Sequence, residues 1–175
     1  QILPSEDIDI VAYGCTSGTI AIGADRIKEE VNKAKPKAKV TTPITAAMKA
    51  FNHLGLKKIA VLTPYPKDVN ATVYNYLIDN NINVESFSSF NLEYDSEIAQ
   101  VSLASLEKEI SKIDLSNVDG LFVSCTALKI VDVLDRVESS QNTVVISSNQ
   151  AIIWDCLRSV GIDSKIKGYG KLFLN

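Results

Sequence analysis

Two short segments of the sequence carry the same chemistry-bearing pattern. Ile10 to Thr16 reads I-V-A-Y-G-C-T and Gly120 to Thr126 reads G-L-F-V-S-C-T, in both cases an apolar run, a small residue and then Cys-Thr. Apolar runs of this length predict strands and the spacing after each predicts a helix, so Cys15 and Cys125 are expected at equivalent strand-to-helix junctions. A thiol at a helix N-terminus lies at the positive end of the helix dipole, which favours the thiolate, the form that acts as nucleophile or base. The free N–H groups of such a turn, with the hydroxyls of Thr16, Ser17, Thr19 and Thr126, suit a carboxylate. Arg26 and Lys129 are expected one turn or more into the helices, so an anion here is held mostly by neutral donors.

Other constellations lack the required spacing. A lone cysteine ending a core strand is ordinarily a packing residue, and the matched Cys-Thr context is what sets Cys15 and Cys125 apart. Cys156 falls on the apolar stripe of the last helix and reads as core. His53 is the only histidine; it lies within a predicted helix beside no motif, so neither a Ser-His-Asp triad nor a His-rich metal site is indicated. In G-C-T-S-G, from Gly14 to Gly18, Ser17 comes one position too late for a nucleophile elbow. Neither G-x-G-x-x-G nor G-x-x-x-x-G-K-[ST] occurs, and the dense acidic clusters of a metal-dependent enzyme are missing.

The rest of the chain must position those two turns. Its 175 residues are enough for one ordinary domain or two small ones, and 46% hydrophobic with 22% charged residues is the balance of a folded protein. A net charge of −3 leaves no basic surplus for nucleic acid or an anionic membrane surface. No apolar run approaches the ~20 residues of a bilayer span, and residues 1 to 20 lack a signal-peptide pattern. Three cysteines without a C-x-x-C pair fit free thiols in a reducing, cytoplasmic setting. Strands are predicted at Ile8 to Tyr13, Lys58 to Thr63, Ile82 to Phe87, Gly120 to Ser124 and Thr143 to Ser147. Amphipathic stripes between them include Ile20, Ala24, Ile27 and Val31, read as one helix, and Ile153, Cys156, Leu157 and Val160. Thr42-Pro43 starts a helix that Gly55 ends, Gly161 ends the last one, and Lys33 to Lys39 reads as a solvated loop. Alternating strands and helices give an α/β fold with a mainly parallel sheet covered on both faces, and ligands then bind beyond the carboxyl ends of the strands.

Five segments in consistent order over essentially the whole chain carry a family resemblance: Y-G-C-T-S-G-T at Tyr13, T-P-I-T-A-A at Thr42, A-V-L-T-P-Y-P-K-D-V-N at Ala60, S-C-T-A-L at Ser124 and S-N-Q-A at Ser148. Together they resemble the aspartate/glutamate racemase superfamily. Within it they look most like the branch of maleate cis-trans isomerase, arylmalonate decarboxylase and the ectoine-utilisation racemase-like protein, the last being the nearest. The resemblance implies two pseudo-symmetric α/β lobes with a cofactor-free, metal-free site between them. It implies one catalytic cysteine from each lobe, Cys15 and Cys125, with Thr16, Ser17, Tyr65 and Thr126 around a substrate carboxylate. On it, residues 1–60 and 150–175 form the first lobe and 61–149 the second. Family members usually carry a further strand and helix before the first cysteine, so an N-terminal part of the first lobe is expected to be missing from the sequence.

Departures from the superfamily narrow the expectation. Amino-acid racemases resemble C-N-T at the first turn and often C-T-H or C-T-E at the second; here the turns read C-T-S and C-T-A. Arylmalonate decarboxylase has glycine at the first cysteine position. What remains is a cofactor-independent isomerase acting on a small dicarboxylate or related acid, with Cys15 as nucleophile because its turn offers the denser set of donors, and Cys125 as partner acid or base. The alternatives are a two-base racemase or epimerase, and a non-catalytic small-carboxylate binding domain. A small carboxylate is the expected partner, nucleic acid and membrane are not, and a homo-oligomer is compatible with the fold.

Overall fold

The computed structural model describes residues 3–4 and 6–175. The chain runs β1 (Ile10–Ala12), α1 (Thr16–Ile22), α2 (Ala24–Ala34), β2 (Lys39–Thr41), α3 (Pro43–Leu54), β3 (Lys58–Thr63), α4 (Lys67–Asp79), β4 (Asn83–Ser89), α5 (Asp95–Ile98), α6 (Leu103–Ile110), β5 (Gly120–Val123), α7 (Leu134–Gln141), β6 (Val144–Ser147) and α8 (Ser148–Ser159), with 3-10 turns at Val131–Val133 and Lys171–Leu174. It is an α/β fold whose strands are all parallel. β1 and β2 form one sheet, with Val11 opposite Val40; β4, β3, β5 and β6, in that order, form the other.

The larger sheet explains itself from its residues. Ile59, Ala60, Val61 and Leu62 of β3 and Leu121, Phe122 and Val123 of β5 are all at most 1% exposed, as expected of central parallel strands covered on both faces. Phe51 of α3 meets Phe122 edge to face at 5.4 Å between ring centroids, seating that helix on the sheet. Each such side chain taken out of water contributes about 1.5–3 kcal/mol. Helix α8 follows β6 directly and packs on α3, β1 and β2, so it ties the two sheets together. Asp155 on α8 is 3% exposed and accepts from the Thr41 hydroxyl on β2 and from Lys49 Nζ on α3, at 2.7 Å for the shorter Lys49 contact.

The Thr42-Pro43 start and the Gly55 end of α3 match expectation. Thr42 and Thr45 form a reciprocal capping box, and Gly55 takes the left-handed φ of 72°. Three local readings change. The stripe through Ile20, Ala24, Ile27 and Val31 belongs to two helices, because Gly23 at φ 92° takes its N–H to Thr19 O and breaks the chain between α1 and α2. The loop before β2 is shorter than Lys33 to Lys39, and Lys35 within it is buried with its Nζ on Glu6 O. Most consequentially, no helix follows Cys125 directly. Cys125 has φ 93°, Lys129 lies in the turn after it, and α7 begins only at Leu134.

Candidate active site

The first turn is a capped helix start. Cys15 is the N-cap of α1, with extended φ −124° and ψ 118°, and its Sγ accepts the Gly18 N–H at 3.3 Å. It thus does what serine or aspartate does at most helix starts. Thr19 Oγ1 donates to Cys15 O at 2.6 Å and fixes the turn from inside. Gly18 has a specific reason to be glycine: a Cβ there would lie 2.8 Å from Cys15 Sγ and 3.1 Å from the Tyr13 hydroxyl. The thiol is exposed, its Sγ stands 4.0 Å from Ser17 Oγ, and the first-turn N–H groups of Thr16 and Ser17 have no intrahelical acceptor.

The second turn is buried and built without a helix. Cys125 is 8% exposed, and its left-handed backbone is uncommon for a residue with a Cβ. Its N–H donates to Ser148 Oγ at 3.0 Å, its Sγ accepts from Ala127 N–H at 3.4 Å, and Asn149 Nδ2 donates to Thr126 O at 2.8 Å. Burial pushes the Cys125 thiol above its ordinary value. The Ala127 N–H and the Tyr65 hydroxyl oppose that shift, and negative charge on Asp95 and Cys15 adds to it. Cys125 therefore holds its proton at neutral pH.

Tyr65 lies between the turns. It follows β3 through Thr63-Pro64, its carbonyl accepts from Asn70 Nδ2 and Ser89 Oγ, both at 2.7 Å, and its side chain is 6% exposed. Its hydroxyl stands 3.5 Å from Ser124 Oγ, close enough to Cys125 for the charge of that thiol to act on it. Burial first, and then the charge of a Cys125 thiolate, push the phenol well above its ordinary value, so it remains a donor.

One direct bond and one through Ser148 of α8 bring the two Cys-Thr turns together. Thr126 Oγ1 donates to Gly14 O at 2.8 Å, and buried Thr16 Oγ1 donates to Ser148 Oγ at 2.9 Å. Of the four residues expected around a carboxylate, Thr16 and Thr126 thus have their hydroxyl protons engaged across the turns, while Ser17 and Tyr65 keep hydroxyls beside the thiols. Cys156 and His53 lie elsewhere. Cys156 is half-buried on α8, and His53 stacks at a tilt on Trp154 with 5.2 Å between centroids. Ser148 and Asn149 had no role assigned from sequence, although the S-N-Q-A segment was legible; the signal was a run of small polar residues at the carboxyl end of β6. Among the described residues, no group of three or more His, Cys, Asp or Glu side chains could hold a metal ion.

A family profile described as arylmalonate decarboxylase matches residues 16–173, nearly the whole chain. The protein belongs to the arylmalonate decarboxylase family. Arylmalonate decarboxylase of Bordetella bronchiseptica is 30% identical over 142 residues, 76% of this chain and 57% of that one. Maleate isomerase of Pseudomonas putida is 22% identical, over 97% of this chain and 71% of that one. Among solved structures, a cysteine-to-serine mutant of Nocardia farcinica maleate cis-trans isomerase with a covalently bound succinylcysteine intermediate superposes with a TM-score of 0.89 at 19% identity, covering 94% of this chain and 71% of the other. The chain thus spans little more than half the length of the Bordetella family member. No helix among the described residues is long and apolar enough to cross a membrane.

Proposed function

We propose that this family member is a cofactor-independent cis-trans isomerase of a small dicarboxylate or related acid, maleate-isomerase-like, working through Cys15 and Cys125. The observation that carries the reading is the unlike placement of two thiols at one site: Cys15 exposed at a capped helix start, Cys125 buried with its proton held. The Cys15 thiolate adds to one alkene carbon, forming an S–C bond while the π pair moves toward the carboxylate as an enediolate. Ser17 and Tyr65 hydroxyls and the Thr16 and Ser17 N–H groups stabilise that charge, with Thr16 and Thr126 setting the turn geometry. Cys125 donates its proton to the adjacent carbon, rotation follows about the new single bond, and the proton returns to Cys125 as the S–C bond breaks. A covalent succinylcysteine in the Nocardia enzyme supports this chemistry as one the fold accommodates.

Two thiols favour isomerisation over the decarboxylation that gives the family its name, since the resemblance places glycine at the first position in the decarboxylase. Division into lobes of 1–60 with 150–175 and 61–149, a cytoplasmic setting suited to free thiols, a part in ectoine utilisation and assembly into homo-oligomers belong to the same reading. Incubation in deuterium oxide with maleate, with L-aspartate, with L-glutamate and with an arylmalonate tests it. Fumarate formed from maleate, and lost in Cys15→Ala, is the expected result. Deuterium-labelled D-amino acid without fumarate would establish the racemase instead; carbon dioxide from the arylmalonate alone would establish the decarboxylase, and no turnover with dicarboxylate binding a binding domain.

A further inference from the structure

The S-N-Q-A segment has no part in the chemistry above, yet its side chains hydrogen-bond to both cysteine turns. Ser147 and Gln150 close a capping box at the start of α8: Gln150 N–H donates to Ser147 Oγ at 3.1 Å, and Ser147 N–H to Gln150 Oε1 at 3.3 Å. That fixes the first turn of α8 and leaves Ser148 and Asn149 pointing away from the box. Ser148 is 0% exposed, and its Oγ accepts from two sources: the Cys125 N–H at 3.0 Å and Thr16 Oγ1 at 2.9 Å. Asn149 Nδ2 bridges two carbonyls of the same loop, Thr126 O at 2.8 Å and Leu128 O at 3.4 Å.

We infer that Ser148 is the positioning residue of the site: one buried hydroxyl that holds Cys125 in its left-handed backbone and, through Thr16, sets the Cys15 turn against it. A cysteine at φ 93° persists only where its surroundings over-determine it, and the bond from Cys125 N–H to Ser148 supplies that constraint. The same oxygen takes the Thr16 proton, so the two turns share one acceptor 132 residues from Thr16 and 23 from Cys125. Removing the hydroxyl leaves a buried N–H without a partner and uncouples the turns in one step. Nothing in this role requires Ser148 to touch substrate. The inference rests on the two-thiol reading only in giving Cys125 a part in catalysis.

Ser148→Ala tests it, with Ser148→Thr as the variant that keeps the hydroxyl. Cys125 and Cys15 are alkylated separately across pH and quantified by peptide mass, and maleate turnover is measured alongside. In Ser148→Ala the Cys125 turn opens, so its alkylation accelerates by roughly tenfold or more and its midpoint moves down towards that of an ordinary thiol, while Cys15 changes by less than about twofold. The maleate kcat falls more than KM rises, and Ser148→Thr restores the Cys125 profile. Thr16→Val shifts the same profile, and the double variant with Ser148→Ala changes it by less than the product of the singles, because each single already breaks the Thr16–Ser148 bond. An unchanged Cys125 profile in folded Ser148→Ala, or effects that multiply in the double, overturns the inference. Should Ser148→Ala not fold, Thr16→Val decides alone, and an unshifted profile there overturns it. Absence of fumarate from every form, wild type included, defeats the isomerase reading while the labelling profiles still decide the role of Ser148.

Discussion

Tyr65→Phe separates the work of the hydroxyl from that of the ring. The ring lies in the core cluster and phenylalanine fills the same space, so global stability should change by no more than about 1 kcal/mol in denaturant unfolding, the net value of one ordinary hydrogen bond. The oxygen matters more at the site, because it favours the Cys125 thiolate and reaches Ser124 Oγ at 3.5 Å. A hydrogen bond to a charged group contributes about 1.5–3 kcal/mol, which at about 1.36 kcal/mol per tenfold is roughly 10- to 150-fold. Two readouts should carry that loss. The Cys125 thiol moves up further, since the Tyr65 hydroxyl and the Ala127 N–H are the two groups that favour its thiolate; its alkylation midpoint therefore shifts to higher pH. Affinity for a small dicarboxylate falls within the same range if Tyr65 donates to the carboxylate. An unchanged Cys125 midpoint together with an unchanged dissociation constant would refute both roles and leave Tyr65 as a core aromatic.

Gly18→Ala adds a Cβ 2.8 Å from Cys15 Sγ, so the thiol must leave its capping position; alkylation kinetics at Cys15 should change severalfold while the melting temperature holds, because alanine is the better helix residue. Unaltered Cys15 kinetics would show that the sulfur has room to spare. The raised Cys125 pKa also sets a pH profile. Its protonated form is the acid, so maleate turnover should persist past the ordinary thiol value of 9.0 and fall only above it, whereas a falling limb below that value would exclude Cys125 as donor. Linkage has the same sign: the folded state holds this proton more tightly than the unfolded one, so the contribution to stability is complete below the unfolded thiol pKa and is lost as pH rises through the folded value.

Local signals were legible where burial or capping is decided within a few residues. β3 has the predicted ends, Lys58 and Thr63, because an unbroken apolar run between polar neighbours has one stable use in a parallel sheet. β2 was missed, since Lys39–Thr41 is three residues with a single large apolar side chain and forms only because β1 lies beside it. The division at Gly23 was hidden by an apolar stripe that continues across it, a pattern that one glycine does not interrupt. At the site, residue types were visible and their partners were not. Thr16 and Thr126 carry the hydroxyls that sequence pointed to, but the Thr126 bond spans 112 residues and the Thr16 bond 132, outside any local pattern. The backbone of Cys125 belongs to the same class, since its φ is held from α8 and nothing in S-C-T-A announces it.

That difference between the turns bears on the chemistry. The sequence echo of I-V-A-Y-G-C-T and G-L-F-V-S-C-T suggests two equivalent thiols, the arrangement a two-base racemase uses when each serves one face of a carbon. Folding removes the equivalence. One thiol caps a helix and faces outward; the other sits at a left-handed turn with α7 nine residues on, and burial first, then negative charge on its neighbours, raises its proton affinity. Groups whose environments differ in this way suit an assigned nucleophile and an assigned acid better than two interchangeable bases. Addition and elimination across a double bond ask for that asymmetry, because one sulfur must bond to carbon while the other carries the proton. The geometry therefore supports the proposed isomerase reading on grounds separate from the family pattern, and Cys125 forming the covalent adduct in a trapped complex is the result that would refute this assignment of roles.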